Sequence, residues 1–290
     1  MNILIIQENG RHKSSRHMRE CFSLKHSFEK LGHSATCWGL GHDSYKSGAK
    51  PYLKSDIDVI LCLENYNNGW LPEDIGQSKA IKIFWTIDSH CALNEHMQFC
   101  DKFKPQILLS SSSGYLKHYS NISERQYWFP NAVDIRWFRK KDVKKSKELI
   151  FAASPIADRV RISQFLNRIV GLELVSDKIG EDYVNLLNST KVSFNKSISD
   201  DINYRIFETL ACHTSLITNI VPGLEQLLVP DQDYASYNAD NPKEMIGVCQ
   251  WLLKDEHARI QIADGGYKKV ISMHTYDNRV TYLCDIIEGL

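Results

Sequence analysis

A chain of 290 residues with 43% hydrophobic and 10% aromatic content can bury a sizeable core, and its length favours two domains of moderate size. Its 35 basic residues balance 35 acidic ones, which argues against a nucleic-acid footprint or an anionic-membrane surface and leaves room for a small acidic ligand. The eight cysteines show no CxxC pair and no zinc-type Cys/His spacing, so they read as reduced packing thiols with no metal site expected.

The opening MNILII has no basic region and runs directly into Gln7 and Glu8, and no apolar run approaches the ~18 residues of a membrane span. A soluble cytoplasmic protein without a transmembrane segment is expected. NILII at 2–6 reads as a first strand, followed by a helix from about Ser15 to Leu31. SATCWG at 34–39, DVILCL at 58–63, AIKIFWT at 80–86, ILLSS at 107–111 and RQYWFP at 125–130 are short, β-rich runs of the kind found in buried parallel sheets.

The cationic run RKKDVKKSK at 139–147 interrupts this pattern and marks a linker between residues 1–138 and a second domain at 148–275. That domain repeats the logic. ELIFAAS is its first strand, and a helix begins near Asp158. Strands follow at 172–175, 191–195, 215–218 and 234–238, with helices at about 181–188 and from the Asp200–Asp201 pair, either of which can cap the latter. Three helices close the chain, starting near Pro242, Asp255 and Tyr276. Two α/β units in succession predict two Rossmann-like doubly wound sheets facing across a cleft, with ligands at the carboxyl ends of the strands.

The first strand-to-helix turn, QENGRHKSSRH, lacks the GxGxxG fingerprint, and no P-loop is present. It offers Arg11, His12, Lys13 and Ser14 before a helix whose free amides suit an anion or hydroxyl-bearing ligand, or else a solvated loop. Asp88 and His90 fall just past the strand AIKIFWT, where an imidazole with a nearby carboxylate can orient a hydroxyl or relay a proton. The same Asp-x-His also serves as a helix cap. WFPNAVD at 128–134 reads as a hinge through Pro130 and Asn131. Arg159 sits in the first turn of its helix, against the dipole, which an anionic ligand or a surface ion pair would explain. Arg205, Glu208 and Cys212 share one stripe of the helix in NYRIFETLACH, where an i,i+3 Arg/Glu pair alone is ordinary decoration.

Together, MNILII with LGHSATCWG, WFPNAVD, NYRIFETLACHTSLITN with GLEQLL, and HTYDNR at 274–279 resemble GT-B glycosyltransferases. The likeness is to the spore-maturation CgeB-like branch, similar to the retaining glycosyltransferase family 4 group. It implies transfer of a sugar from a nucleotide-sugar donor, with retention, without a metal or other cofactor, and with base and sugar unspecified. It implies that Glu208 accepts the ribose hydroxyls and that Arg159 and Arg205 hold the pyrophosphate. Two glutamates separated by seven residues are usual; here Asp200 stands at the first position, with Asp201 as the alternative. His213 replaces the usual glycine after the helix and either lines the donor pocket or caps the helix. Asp88 and His90 would orient the acceptor or reacting sugar, and Arg11 and His12 would serve the acceptor side. The acceptor, left unidentified, is expected to be a glycan, a lipid-linked or a protein molecule and not a nucleic acid. The helix at 276–290 is expected to return to the first domain. Rival readings are an inactive nucleotide-sugar-binding partner, or an epimerase or phosphorylase on the same fold.

Overall fold

The computed structural model describes residues 1–46, 49–65, 67–199 and 201–289. Contacts divide the chain into two units, residues 1–131 with 276–290, and residues 132–275.

In the first unit the apolar runs form six strands: β1 (Asn2–Ile6), β2 (Ser34–Trp38), β3 (Val59–Leu63), β4 (Ile81–Thr86), β5 (Ile107–Ser110) and β6 (Arg125–Trp128). All pair in parallel, in the order β2-β1-β3-β4-β5-β6. The uninterrupted VILCL of β3 follows from this topology, since every residue of a central parallel strand is covered on both faces and all five are buried. Helix α1 (Glu20–Lys30) begins later than the expected Ser15, because Lys13–Met18 form a 3₁₀ turn with no buried residue. That stretch has no apolar side to dock. The first amides of α1 turn inward instead: the Cys21 N–H donates to Gln7 Oε1 at 3.1 Å, and Gln7 Nε2 donates to Glu20 at 2.8 Å. Helix α2 (Ser89–Phe103) packs Phe99 and Phe103 against Phe84 and Leu108.

The second unit carries β7 (Lys147–Ala152), α3 (Ala157–Val170), β8 (Glu173–Val175), α4 (Gly180–Asn188), β9 (Thr190–Asn195), α5 (Tyr204–Ala211), β10 (Ser215–Asn219) and β11 (Ala235–Tyr237). Its sheet is again all parallel, in the order β11-β10-β9-β7-β8. Helices α6 (Pro242–Lys254) and α7 (Glu256–Met273) follow. The Asn241 side chain accepts from Glu244 N–H, with Pro242 in the first turn, and Asp255 accepts from Ala258 N–H at 2.9 Å. Gly266 lets α7 lie close to its neighbours, since a Cβ there would come within 2.3 Å of the Asp233 carbonyl and 2.5 Å of Leu210.

The cationic run 139–147, read from sequence as a linker, is anchored inside this unit. The Lys141 N–H donates to Asn188 Oδ1 at 2.7 Å, Asn188 donates back to the Arg139 carbonyl, and Lys145 reaches Thr214 at 2.8 Å. The chain passes between units at 131/132, ahead of that run.

The last helix, α8 (Tyr276–Glu288), groups with the first unit. Asp277 accepts from Ser27 and Lys30 of α1, both at 2.6 Å, and Tyr282 stacks on Phe129 with centroids 6.4 Å apart. Among the described residues no helix is long and apolar enough to cross a membrane.

Candidate functional site

In the second unit β7 lies between β8 and β9, so the chain leaves β7 towards one side and β9 towards the other. Such a reversal of strand order opens a crevice outside the carboxyl ends of the two strands, where doubly wound sheets take their ligands. Arg159, the third residue of α3, arrives there from β7 and is buried. Arg205, the second residue of α5, arrives from β9. The loop between β9 and α5 is pinned by side chains: Asn195 donates to Thr218 at 2.9 Å, Asn203 donates to Ser197 at 3.0 Å, and the Ser197 N–H donates to Asn219 at 2.7 Å. The helix cap is Asn203, not Asp200 or Asp201 as the sequence suggested, and the Asn203 side chain is committed to that loop. Asp200 lies outside the described residues.

The two guanidiniums stand close enough for Arg205 to disfavour the charge on Arg159. Burial, with Arg205 beside it, pulls Arg159 down to about 10, and Asp201 offsets this only in part. The Nε atoms of both arginines are buried without an acceptor. Neither forms an ion pair with a carboxylate among the described residues, so the i,i+3 pair of Arg205 and Glu208 is not the ordinary helix bridge. Glu208 lies one turn along α5 and faces Tyr183 of α4, whose hydroxyl is held well above its ordinary range by burial and by the Glu208 carboxylate.

His213 is not brought to this crevice. Helix α5 runs from the carboxyl end of β9 to the amino end of β10, and His213 follows its far end in a left-handed conformation, φ 55°. Its N–H donates to the Leu210 carbonyl at 2.9 Å and its Nε2 meets Asp264 of α7 at 2.5 Å. It caps the helix, the second of the two readings that the sequence left open.

In the first unit, Glu64 follows β3 and organises the turn after β4. Its carboxylate accepts from the N–H groups of Ile87 at 2.8 Å and Asp88 at 2.6 Å, and lies 3.0 Å from His96 Nε2. His96 Nδ1 meets the Tyr119 hydroxyl at 3.0 Å, which meets Ser89 at 3.0 Å. Burial pushes Glu64 up, but the His96 imidazole and the two amides more than offset it, leaving the carboxyl below its ordinary range. Asp88, at the start of α2, is pushed up by burial and by Glu64, with His90 opposing. A cavity of about 550 Å³ is lined by Glu64, Asn65, Asp88, Glu95, His96 and Lys102 among others. His90, the second residue of α2, is half-buried and not part of the cavity lining, while Arg11 and His12 lie exposed in the loop after β1, also outside this cavity.

A depressed carboxyl stabilises the fold above its unfolded pKa, and that contribution disappears as pH falls through the folded value. Glu64→Ala is therefore expected to cost about 3 kcal/mol at pH 7, since it strands a buried imidazole and two amides. The gap between variant and wild type should narrow below the ordinary carboxylate range. Urea unfolding at pH 7 and pH 3 checks both, and an equal gap at the two values would contradict the assignment.

Glu64, His96 and Tyr183 were not singled out from sequence. Glu64 had a legible signal, a polar residue directly after a wholly apolar strand, the same position that drew attention to Asp88. His96 and Tyr183 had none, because their partners lie far along the chain.

Residues 163–285 match the family model described as Glycosyl transferase-like. No curated protein matches the chain. Among solved structures, sucrose-phosphate synthase from Thermosynechococcus elongatus is similar at TM-score 0.69 with 11% identity, covering 99% of this chain and 98% of that one. Anabaena HepE in complex with UDP-glucose matches at TM-score 0.69 with 10% identity over 100% of both chains. A glycosyltransferase from Rickettsia africae matches at TM-score 0.68 with 9% identity over 99% and 98%. The chain thus has the fold of GT-B glycosyltransferases, two parallel α/β sheets of six and five strands, and carries a glycosyltransferase-like domain over residues 163–285.

Proposed function

We propose that the protein transfers a sugar from a nucleoside-diphosphate donor to an acceptor, with the donor held by the second unit. The observation that carries this reading is the convergence of Arg159 and Arg205 at the strand-order reversal, one buried and one half-buried guanidinium, each with a buried Nε donor unused. A diphosphate supplies the two charges and the oxygens that such a pair lacks. As the sugar leaves, negative charge gathers on the diphosphate, and fixed cations stabilise it without reorganising. Glu208, one turn away, is the carboxylate for the ribose hydroxyls. Asp201, with Asp200, fills the place of the usual first glutamate.

The resemblance to retaining, metal-independent enzymes makes retention without a metal the expected course, with the leaving phosphate taking the acceptor proton. In the first unit, the cavity beside Asp88 is the acceptor-side surface, with Asp88 and His90 as orienting groups. HepE was solved with UDP-glucose, so UDP-sugars are the first donors to try. Aspartate in place of glutamate at 200 favours one rival, an inactive partner that binds the donor without using it. Following nucleoside-diphosphate release from a panel of nucleotide sugars separates the two. Wild type is expected to hydrolyse one donor slowly, and Glu208→Ala to lose about tenfold or more of that turnover through weaker donor binding. Donor binding with no release by wild type would favour the inactive partner.

A further inference from the structure

At the amino edge of the second sheet, beyond the far end of α5 from Arg205, a cavity of about 540 Å³ is lined by Lys140, Lys141, Lys145, His213 and Tyr267, with Asp142 at its side. Its charges are unevenly matched. Lys141 is occupied by Glu181 and by Asn185, and His213 by Asp264. Lys145 donates only to neutral acceptors, the Thr214 hydroxyl at 2.8 Å and the His213 carbonyl at 3.2 Å. The carbonyl end of α5 accounts for the direction of Lys145, since a cation there suits the helix dipole. It does not account for Lys140, which lies near enough to disfavour the charge on Lys145 and has no ion pair among the described residues. Burial is the larger effect, and with Lys140 it draws Lys145 down to about 8, against a partial offset from Cys212. Asp142 is the single carboxylate in the lining.

We propose that this cavity binds the phosphate group of a small soluble molecule, at a site separate from the donor crevice. Lys140 and Lys145, neither of them in an ion pair among the described residues, outnumber the one carboxylate of the lining, Asp142, and such an excess of cation matches an anion with several oxygens; the volume falls in the range of small-molecule sites. The His213 ring, set edge-on to Tyr267 with centroids 5.3 Å apart, forms an aromatic wall for the rest of the molecule.

Inorganic pyrophosphate is the probe, titrated calorimetrically into the full chain. Arg205→Ala removes the donor contribution and is expected to leave pyrophosphate binding at this cavity. Adding Lys140→Ser, an exposed change that spares the fold, should weaken that remaining binding about tenfold, and Lys145→Met should do the same. If Lys140→Ser and Lys145→Met leave pyrophosphate binding unchanged, or if none survives Arg205→Ala, the proposal is overturned. Loss through the lysines with no effect of Arg205→Ala would support this cavity and count against the donor reading instead.

Discussion

Arg205→Ala is expected to weaken binding of a nucleoside diphosphate by about two orders of magnitude or more, because truncating one side of a buried charge pair costs roughly 2–5 kcal/mol. The same change should leave the unliganded protein no less stable. Most substitutions of half-buried arginines remove a partner from something, whereas here the guanidinium lies beside Arg159 and depresses it, with its own Nε unsatisfied. Removing it relieves like-charge repulsion in the empty crevice. Equilibrium dialysis with the diphosphate and a thermal melt together check the pair of expectations. A lower melting temperature with unchanged affinity would show that Arg205 is a structural residue.

Arg279→Met is expected to lower stability by about 3 kcal/mol. The side chain is buried in the first unit, where its Nε donates to the Pro130 carbonyl at 2.8 Å and its Nη2 to the Asn131 carbonyl at 3.1 Å. Each carbonyl left without a donor costs roughly 1–3 kcal/mol. Burial already pulls the guanidinium down to about 10, so the fold holds this charge for its hydrogen bonds. Lysine should rescue little, because a single ammonium cannot reproduce the planar fork that reaches two successive carbonyls. Urea unfolding of wild type, Arg279→Met and Arg279→Lys measures this. Full rescue by lysine would assign the effect to charge alone.

The HTYDNR motif acquires a physical reading from these contacts. In the second unit, His274 meets the Leu227 carbonyl at 3.0 Å and Thr275 bridges Val133. In the first unit, Asp277 holds α1 and Arg279 holds the carbonyls of the WFPNAVD segment. The motif's polar residues serve the chain crossing between the units, which spacing along the sequence does not reveal.

Elements whose signal is local were legible. The strands β1, β3, β4 and β7 could be read because a buried parallel strand needs an unbroken apolar run, and α6 because Asn241, Pro242 and Glu244 announce its start. The start of α1 was misplaced because Ser15–His17 carry no signal distinguishing a 3₁₀ turn from a first helical turn. The caps at Asp200 and Asp201 were misplaced because the loop before α5 is set by Asn195, Ser197 and Asn219, distant partners that decide where Asn203 must stand. Arg159 and Arg205 were legible as oddities, one against a helix dipole and one in an amphipathic stripe. Their proximity depends on β9 pairing with β7, a matter of topology. His213 shows the reverse: its position after the helix suggested a ligand role, and the direction of α5 carries it to the opposite edge of the sheet.

The most direct test of the central claim is a calorimetric titration of wild type with UDP, GDP, CDP, ADP and dTDP, each compared with its nucleoside. Binding of one diphosphate, with its nucleoside at least about a hundredfold weaker, is the result predicted by a buried Arg159 and a half-buried Arg205 placed together for a diphosphate. Equal affinity for diphosphate and nucleoside, or no binding of any diphosphate, would contradict it.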